Sequence, residues 1–367
     1  MIKSLALILF VVGCKSDDDK MIVTPDAMVD ADTPAMNTIT VEIFGDTPIF
    51  IMYRDGARAW QTPAPVAGGY ELKVHDAYEL VAVCDGDGYY ETGVEASTYD
   101  EVNGATYVPC YGTGGEPPTP VTYAVTGTMV QPGTAMMGFQ LAEGTTSNWS
   151  FSLDAEAGMH DLVAVADTKM ALRRNINVTA PMSLGSIDAT TSLQSVLFTL
   201  TGAEPDETFR SFVWFITTND FTMLPERDGR TALVVPAAQL VASDRQYLWM
   251  SADGNNTSRS VFTRYTTGTT PTYPLLPRLQ GIQFTNTGAS WSTPLPEGDV
   301  ELDLSGDSSW VTMNASQGWL GSRTELAIDT DIPGFQAAWL PASSNYKSLS
   351  VSKHDTDMSQ RTSFRSF

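Results

Sequence analysis

Histidine, cysteine and positive charge are scarce in this chain. Its 367 residues include three histidines and three cysteines, and 21 Lys and Arg stand against 43 Asp and Glu, a formal charge of -22. Such an excess of negative charge repels phosphate backbones and anionic headgroups, which argues against nucleic acid and against electrostatic membrane docking. No Gly-x-Ser-x-Gly elbow, His-Glu-x-x-His, Gly-rich phosphate loop or Cys-x-x-Cys is present, so the common nucleophile, zinc and nucleotide signatures are missing. The apolar run at residues 5–13 is half of the ~20 residues that a membrane-spanning helix needs. A spanning anchor is thereby excluded for this segment.

That short run has the length of a signal-peptide core. It follows Lys3 and closes on Val11-Val-Gly-Cys14. The layout resembles a bacterial lipoprotein signal, with Val11 to Cys14 as the lipobox. The resemblance implies cleavage after residue 13, diacylglyceryl transfer to the Cys14 thiol, and a membrane bond through acyl chains. Two or more such chains anchor durably, at about 0.8 kcal/mol per buried methylene. In families with this signal an Asp after the cysteine retains the protein at the inner membrane, and here the residue is Lys15. The implied location is the outer membrane, facing the periplasm or the outside.

With Cys14 assigned to lipid, Cys84 and Cys110 remain, an even pair in a chain sent to an oxidising compartment. They are expected to bond, closing a 27-residue loop. Residues 15–37 are acidic, rich in Asp, Ala and Pro, and read as an extended tether. The Asp17, Asp18 and Asp19 run within them reads as solvated charge rather than a metal site.

Beyond Asn37 the sequence is built of short runs of Val, Ile, Thr, Tyr and Phe, punctuated by Gly, Pro, Asp and Asn every ~8 to 12 residues, the pattern of an all-β protein. With 42% hydrophobic residues the chain can fill several cores, and its length suggests two to four domains. Tyr78-Glu-Leu-Val-Ala-Val-Cys84-Asp85 aligns with His160-Asp-Leu-Val-Ala-Val-Ala166-Asp167 at an offset of 82. Each is preceded by an alternating strand, Tyr70 to Val74 and Trp149 to Leu153. The aligned unit is similar to the small β-sandwich repeats of the carboxypeptidase regulatory-like and immunoglobulin-like groups over about residues 40–192. That resemblance implies spacer, adhesive or accessory modules and brings no catalytic residues. The expected architecture is tandem immunoglobulin-like or transthyretin-like sandwiches: repeat 1 at 38–112, a linker at 113–120, repeat 2 at 121–192, a third β domain at 193–273 and a C-terminal β domain at 274–367. Within the third, Leu240 and Tyr247 resemble the fibronectin-like corner, in which the tyrosine hydroxyl bonds back to the chain. Residues 352–367 are polar and expected to be loose.

Candidate chemistry is sparse. Each histidine precedes an aspartate: His75-Asp76, His160-Asp161 and His354-Asp355. Neighbours on a strand point to opposite faces, so these dipeptides are not expected to form His-Asp pairs. Asp85-Gly-Asp87-Gly88 suits either a calcium loop or a hairpin turn, and lacks the full ligand set of a calcium loop. Sequons at Asn148, Asn177, Asn255, Asn256 and Asn314 carry no default meaning. Six of eight tryptophans follow residue 192. They are either sandwich core or a row for stacking sugars. Trp291, Trp310 and Trp319, which lie near Gly and Ser, are the ligand candidates. The sequence thus points to a non-enzymatic surface lipoprotein without metal or cofactor, binding a protein or polysaccharide, or else to an accessory protein of polysaccharide hydrolysis.

Overall fold

The computed structural model describes residues 36–366 apart from 87, 111–119, 139, 144–148, 267 and 269. Cys14, the tether through residue 35, the linker through residue 119 and Asn148 lie outside the described residues. Strands are the dominant regular structure of the described chain, and its two α-helices, α1 (Tyr99–Val102) and α2 (Gln317–Leu320), are single turns. The all-β expectation holds because the apolar residues recur with period 2 throughout, so that each strand buries one face.

Seven strands make up the first unit: β1 (Asn37–Gly45), β2 (Phe50–Asp55), β3 (Ala64–Val66), β4 (Gly69–Val74), β5 (Ala77–Gly86), β6 (Tyr89–Thr98) and β7 (Ala105–Cys110). β1 lies between β4, antiparallel, and β7, parallel. β5 lies between β2 and β6. Ile39, Val41, Leu72, Val74, Leu80 and Val108 fill the space between these two layers.

The same pairing recurs in β8 (Thr122–Met129), β9 (Thr134–Met137), β10 (Gln140–Glu143), β11 (Ser150–Glu156), β12 (Gly158–Ala166), β13 (Lys169–Val178) and β14 (Met182–Ile187), with β15 (Thr191–Ser192) added at the edge. β8 takes β11 antiparallel and β14 parallel, while β12 lies between β9 and β13. One strand differs. β3 joins β4, but β10 joins β9 in the other layer. An immunoglobulin domain keeps its first strand in the sheet of its second, fourth and fifth; here the first strand is bonded to the fourth and seventh.

The third segment comprises β16 (Gln194–Leu197), β17 (Thr199–Thr201), β18 (Thr208–Ile216), β19 (Phe221–Met223), β20 (Arg227–Asp228), β21 (Thr231–Val234), β22 (Arg245–Gly254), β23 (Thr257–Arg264) and β24 (Thr272–Pro274). The fourth comprises β25 (Ile282–Phe284), β26 (Gly288–Trp291), β27 (Asp299–Ser305), β28 (Ser309–Ala315), β29 (Glu325–Ala327), β30 (Tyr346–Asp355) and β31 (Met358–Ser366). One sheet runs through three of the four segments, in the order β19-β18-β22-β23-β31-β30-β27-β28-β6-β5-β2 with β20 on β18. The seam that joins the fourth segment to the first is parallel, β6 from Tyr90 to Ala96 against β28 from Ser309 to Ala315. The cores cross segment borders as well. Val81, Val94 and Ala96 of the first segment pack with Leu302, Met313 and Leu349 of the fourth, and Val163, Val165 and Met170 of the second pack with Val213, Phe215 and Leu248 of the third.

Two local expectations are corrected. Residues 352–367 were expected to be loose, yet through Ser366 they form the end of β30 and all of β31, strands inside the large sheet. Their inward positions, Gln360 and Thr362, are polar and buried, which hides the alternation. Tyr247 does not close a corner: it faces outward and its ring lies 5.3 Å from that of Phe262. The corner is held by its neighbour Gln246, whose side chain accepts from Val235 N–H at 2.7 Å and donates to Val235 C=O at 3.0 Å.

Candidate binding cleft

Each sequence-predicted residue among those described has a definite place. Cys84 and Cys110 are bonded, with Cα atoms 5.3 Å apart, and tie β5 to β7 across the first sandwich. Trp291, 5% exposed at the end of β26, packs in the cluster of Leu279, Leu320 and Leu326 and also lines a cavity of about 460 Å³ with Leu295, Pro296 and Arg323. Trp319 is half-buried on α2 with the Arg323 guanidinium 4.2 Å over its ring. Trp310 is 44% exposed. The three candidates therefore form no common row.

The dipeptide argument also has a structural outcome. His75 Nδ1 lies 2.6 Å from Asp55, not Asp76, and His160 Nδ1 lies 2.9 Å from Asp220, not Asp161. Despite burial, which works against it, hydrogen bonds from His75 hold the Asp55 carboxyl below its ordinary range. His160 Nε2 is 2.8 Å from the Glu156 carbonyl of its own segment, so both its ring nitrogens are occupied, and Nδ1 joins the second segment to the third. His75 Nε2 likewise meets Arg58 at 3.3 Å. Asp85 accepts from Gly88 N–H at 2.9 Å, closing the β5–β6 hairpin, and Gly88 takes a φ of +87°. Among the described residues no His, Cys, Asp and Glu group is arranged to hold a metal ion.

Sequence reasoning passed over an aromatic group on the outer face of β18, β22 and β23. Phe212 stacks on Trp249 at 4.7 Å, Tyr247 on Phe262 at 5.3 Å, and Trp214 meets Phe221 and Phe262 edge-on at 4.6 and 5.5 Å. The spacing was readable, since Phe212 and Trp214, like Tyr247 and Trp249, sit two apart and share a face. Stacked pairs spend ring faces on one another and contribute about 0.5–1.5 kcal/mol each to the sheet. They make a poor platform for a third ring.

The fourth segment supplies a cleft instead. Its floor is the outer face of β6, β28 and β27; Pro109 of β7 flanks one end and α1 the other. Trp310, Thr312 and Asn314 point outward from β28 because Val311 and Met313 fill the core beneath. Opposite them on β6 stand Glu91, Gly93 and Glu95, and on β27 Asp303 and Glu301. The wider part, lined by Glu95, Glu101, Asp299, Glu301, Asn314 and His354 among others, has a volume of about 460 Å³. A separate slot of about 110 Å³ between Trp310, Glu91, Gly93 and Pro109 lies further along the same two strands.

Electrostatics follow from this crowding. Burial, with Asp299 and Glu101 nearby, pushes the Glu95 carboxyl up to about 7. Burial and the neighbouring Glu301 push Asp303 up to about 6, against hydrogen bonds from Thr312 and Trp310. Glu101 behaves oppositely. Burial works against its charge, but Ser316, Thr98 and the Gly318 N–H donate to it and hold it low. Arg361 balances Glu301 at 2.7 Å and also reaches Ser350. The cleft is therefore an acceptor-rich surface in which two carboxyls exchange protons close to neutral pH.

Comparison with known proteins finds no match: no family profile, no curated protein and no solved structure is significantly similar to this chain.

Proposed function

We propose that the chain is a non-enzymatic, lipid-anchored protein of the cell envelope whose β-sandwich body holds a ligand in the β6–β28–β27 cleft. The observation that carries a binding role is Trp310, an exposed indole lining a slot with Glu91, Gly93, Pro109 and Thr312. Aromatic groups left open beside hydrogen-bonding side chains are a common composition of recognition sites. A binding rather than catalytic role is supported by the occupied nitrogens of His75 and His160. The envelope location rests on Val11-Val-Gly-Cys14 and on the Cys84–Cys110 bond, which suits an oxidising compartment.

A second reading, an accessory protein of surface polysaccharide hydrolysis, is favoured by the same pairing of an open tryptophan with a carboxylate-lined cleft. The test of the envelope reading is chemical. Mass spectrometry of the native protein is expected to show an amino terminus at Cys14 carrying acyl chains, with Cys14→Ala releasing the chain from the membrane fraction. An unmodified Met1 would refute it.

A further inference from the structure

Gly93 sits in the middle of β6 without any reason supplied by the fold. Glycine inside a strand weakens it and ordinarily marks a bulge, a left-handed backbone, a close approach of another chain segment, or the approach of a ligand. The register of β6 is unbroken on both sides, against β5 and against β28. Its φ is not positive. A Cβ placed there would meet nothing within 4 Å. Three of the four reasons fail, and the space left over Gly93 is the slot beside Trp310.

We propose that this cleft binds a neutral oligosaccharide, one sugar ring seated over Gly93 against Trp310 and the chain continuing past Thr312 and Asn314 toward Glu95. This deepens the polysaccharide reading above and rests on it. Two features choose the ligand class. The carboxyl groups of Glu91, Glu95, Glu301 and Asp303 disfavour phosphate, sulfate and uronic acids, and Arg361, the cation bonded to the floor, is engaged by Glu301 and Ser350. A sugar offers what remains, an apolar ring face for the indole and vicinal hydroxyls for carboxyl and amide groups. Six residues of β28, from Trp310 to Ala315, span about 17 Å at strand rise, room for several sugar units in line.

Titration calorimetry on the detergent-solubilised full chain tests this with cellohexaose, xylohexaose, mannohexaose and chitohexaose, and with hexalysine as the cationic control. At least one saccharide should bind. Gly93→Val should weaken it by about tenfold or more, about 1.4 kcal/mol, with Gly93→Ala between. Val suits a strand and its Cβ meets nothing within 4 Å, so the melting temperature should hold. Trp310→Ala should weaken the same sugar comparably. Binding that survives both substitutions, or heat from hexalysine alone, or no saccharide binding at all, overturns the proposal. Acyl chains on Cys14 are measured separately, so a lipidated protein that binds no sugar loses this inference while keeping the envelope reading.

Discussion

Lowering the pH from about 8 to about 5 should stabilise this protein, an acid preference set largely by the cleft. Glu95 rises from 4.5 to about 7 and Asp303 from 3.8 to about 6 on folding. A carboxyl with a raised folded pKa binds its proton more tightly in the native state. Its penalty is therefore fully present above the folded pKa and is relieved as pH falls toward the unfolded value. At about 1.4 kcal/mol per tenfold change in proton affinity, the Glu95 penalty at about pH 8 is ~3 kcal/mol, brought to ~2 by water at its open side. Glu101 and Asp55, whose carboxyls are lowered, act in the opposite sense. Their stabilisation is lost only when pH falls further, through their folded pKa values, so maximal stability is expected near pH ~5. Urea unfolding followed by tryptophan emission at the two pH values measures the effect. Glu95→Gln isolates it: the substitution should add about 2 kcal/mol at about pH 8 and little at about pH 5. Equal effects at both pH values, or a wild-type midpoint that does not rise on acidification, would refute the reasoning.

Two further outcomes follow from buried contacts. Replacing Cys84 and Cys110 by Ala should cost about 3 to 4 kcal/mol by chain entropy, since the bond closes a separation of 26 residues; an unchanged melting temperature in calorimetry would contradict it. Glu207→Ala strands the guanidinium of Arg259, whose side chain is 2% exposed and which meets Glu207 at 2.5 and 2.8 Å. That should cost about 3–5 kcal/mol, and Arg259→Met in the same chain should return a large part of it in the same unfolding assay.

Strand content and the disulfide were legible because both follow from local rules. Alternation in Val300-Glu-Leu-Asp-Leu304 gives β27 directly, and the cysteine pair follows from count and compartment. Trp310 could have been separated from Trp291 by parity. In Trp310-Val-Thr-Met-Asn314 the tryptophan shares a face with Thr312 and Asn314, whereas Trp291 shares one with Ala289, and its flanking Gly and Ser say nothing of burial. The cleft itself was not legible. Its floor joins β6 to β28 across more than two hundred residues, and no local pattern in either strand announces a partner at that distance. Gln246 was equally hidden, since a polar residue before Tyr247 gives no sign that it reaches back to Val235.

That long-range seam separates two views of the chain. Independent modules in tandem would each keep a closed core, so a chain ending at residue 273 would fold its first three segments unaided. The structure predicts otherwise. Removing the fourth segment takes β28 from β6 and β31 from β23, baring two strand edges of the large sheet. It also uncovers Val81, Val94 and Ala96, which are at most 5% exposed in the intact protein, and leaves Arg54 and Trp60 without Asp329. Unpaired edges beside bared apolar surface template association, so the shortened chain should aggregate on expression while the full chain stays soluble. A soluble, monomeric 38–273 fragment with a cooperative thermal transition would show that the segments close their cores singly. The shared sheet, and the cleft built on it, would then be a docking of finished domains rather than a condition of their folding.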